Sequence, residues 1–323
     1  MTKLPRNTIL IGHAAARLRE LPSASIDCAI TSPPYFQLRN YQAPGQIGLE
    51  ANVDGWVAAL RPVFSEVARV LKPTGALWLN LGDSFSRHHR YGAPPKGLLL
   101  APERLLLTLA SDGWSVRNKV IWAKTNPLPS SATDRLALTY EVVYFLTRTP
   151  RYFFDLDSIR EPFRTSEAQR ARPPLNLTPN WIGTLEATLA LRRKASAGVP
   201  GHPLGKNPGD VWQIATHGYK GAHFATFPEA LVRRPLLATC PQAVCTTCGQ
   251  PWQRKAELLV PCGCGTPTRP GVVLDPFFGS GTVGVAAQKL VRDWIGIELN
   301  PAYVRLAEAR LAGVSTLPVE AAA

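Results

Sequence analysis

Residues 272–282 read VVLDPFFGSGT: three apolar residues and an aspartate, followed by a turn that contains two glycines. With Gly284 they form the pattern G-x-G-x-x-G between a predicted strand and a predicted helix. The next predicted strand, 294–297, ends at Glu298. Glycines at such a turn let a ligand approach the backbone closely, and the following acid can hold ribose hydroxyls. The stretch therefore predicts a turn that binds a nucleoside or nucleotide.

Several ligands fit this pattern to different degrees. A P-loop is excluded because no Gly-Lys-Ser/Thr follows the turn. A nicotinamide site normally opens a domain, whereas only 25 residues follow Glu298 here. The adenosine of S-adenosylmethionine needs the same ribose acid but no pyrophosphate cradle, and it fits best. A nicotinamide site and a turn without any ligand remain the alternatives.

The chain before this turn alternates between strand and helix patterns. Apolar runs predict strands at 7–12, 26–30, 76–81, 114–122 and 142–147. Helical spacing predicts helices at 56–71, ended by Lys-Pro-Thr-Gly at 72–75, and at 102–112, 230–237 and 301–311. This alternation predicts an α/β fold whose mostly parallel sheet is covered by helices on both faces.

Ser32, Pro33, Pro34 and Tyr35 follow the predicted strand 26–30. Because prolines cannot continue a central strand, the chain must turn out at the carboxyl end of that strand. An exocyclic amino group is a poor nucleophile unless acceptors hold its two hydrogens. The Ser32 hydroxyl and the Pro33 carbonyl are two such acceptors, and Tyr35 offers a ring on which a flipped base can stack. The motif therefore predicts amino methylation without a cysteine nucleophile; alone, it could also be a simple loop.

Together the two motifs resemble those of the β-group amino DNA methyltransferases of bacterial or phage restriction-modification systems. In that group the catalytic motif comes early and the cofactor motif late. The stretches that carry the resemblance are 31–35, 45–50, 77–84, 221–228 and 275–282. The resemblance implies a Rossmann-like methyltransferase sheet with an inserted target-recognition segment, S-adenosylmethionine as cofactor and double-stranded DNA as substrate.

The resemblance also assigns residues. It makes Ser32, Pro33, Pro34 and Tyr35 catalytic, and implies N4 of cytosine rather than N6 of adenine, because members with Ser at this position mostly methylate cytosine. It assigns cofactor contacts to Asp275, Pro276, Phe277, Gly279, Gly281, Thr282 and Glu298, and to His223, Phe224 and Thr226 of a closing segment. The chain departs from the family at Gly12-His13, where Gly-Asp is frequent, and at Phe224 and Phe227, where many relatives carry Pro and Lys.

A polyanionic partner is indicated by the net charge of +13, from 36 basic and 23 acidic residues. The Pro-, Arg- and Thr-rich segment 160–221 is predicted to recognise the DNA target. Its candidate phosphate contacts are Arg164, Arg170, Arg172, Arg192, Arg193 and Lys194, and its candidate base readers are Gln169, Asn176 and Asn180. Such a charge run can equally be a solvated face. The loop 124–127 (Lys-Thr-Asn-Pro) is either a contact near the active site or an ordinary turn.

Five of the six cysteines crowd into positions 240–264. Cys245, Cys248, Cys262 and Cys264 form a CxxC…CxC set, whose spacing suits a tetrahedral structural zinc. Cys240 is a spare or an alternative fourth ligand. The other interpretation is a set of reduced surface thiols.

The chain is expected to comprise a catalytic half (1–159), the recognition insert (160–221), a closing segment and helix (222–239), a zinc-knuckle insert (240–268) and a cofactor half (269–323). No apolar stretch approaches the roughly 18–20 residues of a membrane span, so we expect a cytoplasmic protein without membrane contact. A homodimer and a cognate restriction endonuclease are expected partners. The competing functions are a methyltransferase for RNA, protein or a small molecule, and a DNA-binding protein without catalysis.

Overall fold

The computed structural model describes residues 4–164, 201–216, 227–265 and 267–314. Its strands are β1 (Thr8–Ile11), β2 (Ile26–Thr31), β3 (Leu71–Leu81), β4 (Ser115–Lys124), β5 (Tyr140–Thr147), β6 (Val211–Ile214), β7 (Val244–Cys245), β8 (Gln253–Lys255), β9 (Leu258–Val260), β10 (Thr268–Arg269), β11 (Val272–Asp275) and β12 (Asp293–Glu298). Its helices are α1 (Ala14–Arg19), α2 (Val53–Val70), α3 (Ala101–Ser111), α4 (Glu229–Thr239), α5 (Thr282–Lys289) and α6 (Pro301–Ala312). None of these helices is both long and apolar enough to cross a bilayer.

Eight strands form one central sheet in the order β1-β12-β11-β2-β3-β5-β4-β6. Strand β5 runs antiparallel to both of its neighbours, and every other pairing in the sheet is parallel. The predicted α/β fold with a mostly parallel sheet is therefore confirmed. The last strand of the chain in this sheet, β12, pairs with the first, β1.

Helices cover both faces of the sheet, and each face has its own hydrophobic core. Helices α1, α2 and α3 pack on one face, where alternate residues of β3 such as Leu77 and Leu79 point toward them. Helices α4, α5 and α6 pack on the other face, against Ala76 and Trp78 of the same strand. This alternation follows from the two-residue period of a strand.

Strand β3 begins at Leu71, directly after α2, and not at residue 76 as predicted. The physical reason lies in Asp27, a buried acid at the second position of β2. Its carboxylate accepts from Lys72 Nζ at 2.5 Å and from the backbone N–H of Val272 at 3.0 Å. Leu71 also pairs with Ile26, so this end of β3 stays in the sheet despite its proline and glycine.

The carboxyl ends of the parallel strands meet at one edge of the sheet, because parallel neighbours start and finish together. That edge carries the residues that follow β2, β11 and β12, and the last residues of β3 and β4. Since β5 is antiparallel, it brings its first residues, Tyr140 and Glu141, to the same edge. The fold thus collects side chains there that are far apart in the sequence.

The described residues divide into two compact units. The larger holds 4–155, 210–216, 227–253, 259–265 and 267–314, and it contains the central sheet. The smaller holds 156–164, 201–209 and 254–258. Inside the smaller unit, Glu161 and Lys206 exchange backbone hydrogen bonds of 3.0 and 2.8 Å, and Asp157 accepts from Arg160 Nε at 2.6 Å. Strand β6 lies within the segment 160–221 but belongs to the larger unit, as an edge strand of the sheet.

Candidate active site and cysteine cluster

The glycine turn follows β11 and leads into α5. Gly281 caps α5 with a left-handed backbone (φ +80°), and a Cβ there would stand 3.0 Å from the Ala307 side chain. The turn is tied to the neighbouring strand by the N–H of Phe278, which donates to the Ile297 carbonyl at 2.9 Å. Arg310 of α6 donates to the carbonyl and the hydroxyl of Ser280, each at 2.6 Å. The turn is therefore fixed from both sides.

The Phe278 ring fills the space beneath the turn. It stacks on Trp294 with centroids 5.2 Å apart and an interplanar angle of 12°. A Cβ on Gly296 would lie 2.4 Å from this ring, and one on Gly284 would lie 2.7 Å from it. Gly284, the third glycine of the motif, therefore leaves room for the Phe278 ring. Gly296 also leaves room for this ring, but it lies outside the motif and no sequence pattern indicated it.

Glu298 is held by the backbone on both of its carboxylate oxygens. Oε2 accepts from the N–H of Gly279 at 2.8 Å, and Oε1 accepts from the N–H of Asn300 at 2.8 Å. Burial raises the pKa of this carboxyl, while those two N–H groups oppose the rise. An ionised carboxylate has about four acceptor positions, so it can still accept from hydroxyl groups of a ligand.

Asp275 lies behind the turn. Its Oδ1 accepts from the Thr31 hydroxyl at 2.6 Å and from the N–H of Phe277 at 3.0 Å, which joins the ends of β2 and β11. Burial raises the pKa of Asp275 to about 7. Two of the predicted cofactor residues, Asp275 and Gly281, do not line the cavity described next. They support the turn whose other residues form part of its wall.

A cavity with about 870 Å³ of empty space, partly open to solvent, lies over the turn. Its wall includes the predicted residues Ser32, Pro34, Pro276, Phe277, Gly279, Thr282 and Glu298. It also includes Phe227, from the segment expected to close over the cofactor, and Gly12 and His13, where the chain departs from the family. Further lining residues, which were not named as contacts, are Tyr41, Gly45, Gln46, Ile47, Asn300 and Tyr303. The predicted catalytic and cofactor motifs therefore share one cavity.

Tyr41 and Tyr303 form an aromatic wall of this cavity. Their rings meet edge to face with centroids 6.1 Å apart, and Asn300 Nδ2 donates to the Tyr41 carbonyl at 3.2 Å. Sequence reasoning missed this pair because Tyr41 and Tyr303 lie near opposite ends of the chain. Residues 45–47, by contrast, fall in a stretch that carries the family resemblance.

The Ser32 end of the cavity is backed by a hydrogen-bonded network. The Tyr35 hydroxyl donates to Glu141 Oε2 at 2.6 Å, and the Ser32 hydroxyl lies 3.1 Å from the Tyr35 hydroxyl. Asn80 Nδ2 lies 2.6 Å from both the Tyr35 hydroxyl and Glu141 Oε2, and Lys124 Nζ donates to Glu141 Oε1 at 2.7 Å. Burial and the neighbouring Glu141 raise the pKa of Tyr35 well above its ordinary value.

The main chain of the proline motif is also fixed. Trp56 Nε1 of α2 donates to the Pro34 carbonyl at 2.8 Å. Pro33 is buried, whereas Ser32, Pro34 and Tyr35 are half-buried. Ser32 and Tyr35 were predicted as catalytic, and Asn80 falls in a stretch that carries the family resemblance. Lys124 belongs to the loop 124–127, for which a contact near the active site was one of two interpretations. Glu141 gave no signal, because its approach depends on the antiparallel direction of β5.

Cys245, Cys248, Cys262 and Cys264 converge, with all four Sγ atoms within 4.8 Å of one another. The sulfurs of a tetrahedral zinc site with Zn–S bonds of about 2.3 Å lie about 3.8 Å apart. The Sγ atoms of Cys248 and Cys262 are separated by 3.6 Å, so the donor set fits such an ion. The neighbouring thiols of Cys248 and Cys262 raise the pKa of Cys264 to about 12. Four thiolates this close need a cation to neutralise them.

Cys240 does not belong to this cluster. It is fully buried in the core on the α4 face, and that burial raises the pKa of its thiol well above the usual range. The alternative of Cys240 as a fourth ligand is therefore wrong.

Several predicted residues lie outside the described residues. They are His223, Phe224 and Thr226 of the closing segment, and Arg170, Arg172, Arg192, Arg193 and Lys194 of the recognition segment, together with Gln169, Asn176 and Asn180. Arg164 is described and is exposed in the smaller unit. The role of this segment in DNA binding stays a prediction.

Comparison with known proteins gives concordant results. The N6/N4 methyltransferase family model, described as DNA methylase, matches residues 26–309. The chain is 35% identical to the type II methyltransferase M.Cfr9I of Citrobacter freundii, over 98% of this chain and 91% of the relative. It is 34% identical to M.XycI of Xanthomonas campestris pv. cyanopsidis, with the same coverage of 98% and 91%. It is 33% identical to M.SmaI of Serratia marcescens, over 94% of this chain and 90% of the relative.

Solved structures share the fold. The PvuII DNA methyltransferase (cytosine-N4-specific) matches with a TM-score of 0.61 and 18% identity, over 97% of this chain and 90% of that one. A DNA modification methylase from Thermus thermophilus, in complex with S-adenosyl-L-methionine, matches with a TM-score of 0.54 and 23% identity, over 94% of each chain. At these identities the likeness concerns the fold alone.

Proposed function

This chain belongs to the family of N6/N4 amino DNA methylases, and from that membership we propose that it transfers a methyl group from S-adenosylmethionine to N4 of a cytosine flipped out of double-stranded DNA. The observation that carries the choice of base is Ser32. Its hydroxyl lies on the wall of the same cavity as the glycine turn and Glu298. The cytosine-N4-specific description of the PvuII enzyme, whose fold this chain shares, supports the same choice.

The cavity suits S-adenosylmethionine. The remaining acceptor capacity of Glu298 would take the ribose hydroxyls, while the Tyr41 and Tyr303 rings and the Phe277 side chain would border the adenosine. The description of the Thermus relative as a complex with this compound supports the assignment. When bound, S-adenosylmethionine supplies the methyl group from a sulfonium, which makes the methyl carbon electrophilic.

The residues of the proline motif would prepare the amino group. The Ser32 hydroxyl and the Pro33 carbonyl would each accept one amino hydrogen, so that the nitrogen lone pair turns out of the ring and toward the methyl carbon. Consecutive prolines and the hydrogen bond from Trp56 Nε1 to the Pro34 carbonyl hold these acceptors in place before the base arrives. The Tyr35 ring would border the flipped base.

Further partners follow from the relatives, which are type II methyltransferases. We propose that the basic segment 160–221 recognises the DNA target and that a cognate restriction endonuclease accompanies the protein. We also expect a homodimer, which sedimentation of the purified protein at several concentrations would test.

Mass spectrometry of nucleosides tests the base. The purified protein is incubated with S-adenosylmethionine and unmethylated genomic DNA, which is then digested to nucleosides. We expect N4-methylcytosine, absent with Ser32→Ala although that variant still binds the cofactor. N6-methyladenine would keep the family but overturn the choice of base. DNA left without any new methyl mark by a cofactor-binding protein would favour an RNA or small-molecule substrate, or a DNA-binding protein without catalysis.

We further propose that Cys245, Cys248, Cys262 and Cys264 hold a structural zinc ion. Elemental analysis of the purified protein should find one zinc per chain. Cys248→Ser should lower this content, whereas Cys240→Ala, which changes a cysteine outside the cluster, should retain it. Equal zinc contents in the two variants, or a wild-type protein without zinc, would contradict the proposal.

A further inference from the structure

The hydrogen bonds behind Ser32 form a chain whose direction is fixed. Glu141 carries three contacts, with Lys124 Nζ at 2.7 Å from Oε1, and the Tyr35 hydroxyl and Asn80 Nδ2 each at 2.6 Å from Oε2. The Ser32 hydroxyl lies 3.1 Å from the Tyr35 hydroxyl, and Asn80 Nδ2 lies 2.6 Å from it. The side chains of Glu141 and Lys124 are only 15% and 21% exposed, so little water competes for these bonds.

Counting protons gives the direction. A carboxylate has no proton to donate, so the single hydroxyl proton of Tyr35 points to Glu141. The amide nitrogen of Asn80 can only donate, so it donates to the Tyr35 oxygen. The remaining bond between the two hydroxyls must therefore run from Ser32 to Tyr35. Burial and Glu141 raise the pKa of Tyr35 well above its ordinary value, which keeps this proton in place across the working pH range.

A hydroxyl whose only proton is committed can act toward another group only as an acceptor. We propose that Glu141 is a positioning residue that, through Tyr35, fixes the Ser32 hydroxyl as a hydrogen-bond acceptor for the amino group of the target base. This inference rests on the proposed function and adds to it. It explains how a neutral serine, which could otherwise turn its own proton toward the base, presents lone pairs to an N–H donor.

Glu141→Gln tests this chain of hydrogen bonds, because Lys124 determines the orientation of the glutamine amide. The ammonium of Lys124 can only donate, so the amide oxygen of Gln must face it and the amide NH2 must face Tyr35. Tyr35 then accepts from that NH2 and loses the carboxylate that held its proton, so the Tyr35 proton is free to turn to Ser32 and the Ser32 proton to the base. We expect the single-turnover rate to fall about tenfold to a hundredfold, with the Kd for S-adenosylmethionine unchanged.

Glu103→Gln is the matched control. Glu103 also lies between a tyrosine and a lysine, with Lys119 Nζ at 2.7 Å and the Tyr144 hydroxyl at 3.4 Å, but this trio makes no bond to Ser32. The control should methylate at the wild-type rate. Wild-type activity in Glu141→Gln would overturn the inference while leaving the proposed function intact. A wild-type protein that leaves DNA unmodified would overturn both.

Ser32→Asp provides a bypass, since a carboxylate is an acceptor whichever way Tyr35 points. Glu141→Gln should therefore cost much less in the Ser32→Asp background than in the wild type. Tyr35→Phe removes the middle hydroxyl of the same chain of hydrogen bonds. The double variant, Tyr35→Phe with Glu141→Gln, should therefore be no slower than Tyr35→Phe alone. Equal losses from Glu141→Gln in both Ser32 backgrounds, or additive losses with Tyr35→Phe, would show that Glu141 acts independently of Ser32.

Discussion

At the scale of single residues, Asp275 shows how a motif residue can serve the site without facing it. It is 1% exposed, and its Oδ1 joins the Thr31 hydroxyl to the first turn after β11. The carboxyl therefore connects the strand that leads to Ser32 with the strand that leads to Gly279. The chain carries an acid at a position where an uncharged acceptor could make the same bonds, and this has a consequence for stability.

The first prediction concerns pH. Burial raises the pKa of Asp275 from 3.8 to about 7, so the folded state holds its proton more tightly than the unfolded state does. Its contribution to stability is therefore complete below pH 4 and is lost as pH rises to 7, a change of about 4 kcal/mol. Asp275→Asn keeps the acceptor oxygen without the titration. The Tm of this variant minus that of the wild type should increase from pH 5 to pH 7.5; parallel Tm curves would contradict this account.

The second prediction concerns Gly296. A methyl group there would lie 2.4 Å from the Phe278 ring, which is itself held against Trp294. Gly296→Ala should lower the free energy of unfolding by about 1–3 kcal/mol and weaken S-adenosylmethionine binding, because Phe278 also borders the cavity. Denaturant titration and calorimetry measure both effects.

Gly209→Ala is the control for that substitution. Gly209 is exposed, and a Cβ there would meet nothing within 4 Å. This variant should unfold at the wild-type denaturant concentration or slightly above it, because alanine restricts the unfolded chain. Similar losses in the two variants would mean that the close approach of Phe278 is not the cause.

Site residues that sit in contiguous motifs were predictable, and those that depend on strand neighbours were not. Ser32, Gly279 and Glu298 each lie at or just beyond the end of a strand, so local sequence placed them. Glu141 and Tyr303 reach the site only because of the order and direction of the strands and helices, which periodicity does not reveal.

At the scale of the elements, one buried carboxylate fixes three strands. Asp27 of β2 receives Lys72 of β3 and the backbone of Val272 at the start of β11. A sequence rule that counts apolar residues treats Asp27 as an interruption of the strand and treats 72–75 as a turn. The ion pair is what makes both segments strand, since it neutralises a charge that would otherwise be buried alone.

The third prediction concerns this ion pair. Lys72→Met should lower the free energy of unfolding by about 3 kcal/mol, because Asp27 would be left buried without its cation. Thermal unfolding measures the loss. Adding Asp27→Asn to Lys72→Met should recover part of the stability, and a double variant less stable than Lys72→Met would contradict the ion-pair argument. Lys96→Met, which breaks an exposed pair with Asp134, should leave the Tm unchanged.

At the scale of the whole molecule, the alternation of helices and strands predicted a mostly parallel sheet covered on both faces, and this is confirmed. The alternation could not show that β5 is antiparallel or that β6 (Val211–Ile214) completes the sheet. A strand of four residues, Val-Trp-Gln-Ile, is too short for a two-residue period to be recognised in the sequence. Its place depends on pairing with β4, which is a long-range contact.

The fourth prediction concerns salt. A chain with a net charge of +13 should bind duplex DNA mainly through its phosphates. If six phosphates are neutralised, the affinity should fall about a thousandfold between about 50 and 200 mM salt. Fluorescence anisotropy with a labelled duplex measures this slope, and S-adenosylmethionine binding in the same buffers should change little. A flat dependence for DNA would mean that the positive charge does not contact the phosphates.

The pairing order of the sheet has a consequence for biosynthesis. Strand β11 lies between β12 and β2, yet residue 272 is synthesised 241 positions after residue 31, where β2 ends. A ribosome that adds about 5–20 residues per second needs roughly 12–48 s for that interval. Throughout it, one edge of β2 waits without its native neighbour, and β1 waits for β12. The growing polypeptide therefore keeps an open sheet edge during most of its translation, and it gains its full cavity only when residues 272–303 have left the ribosome.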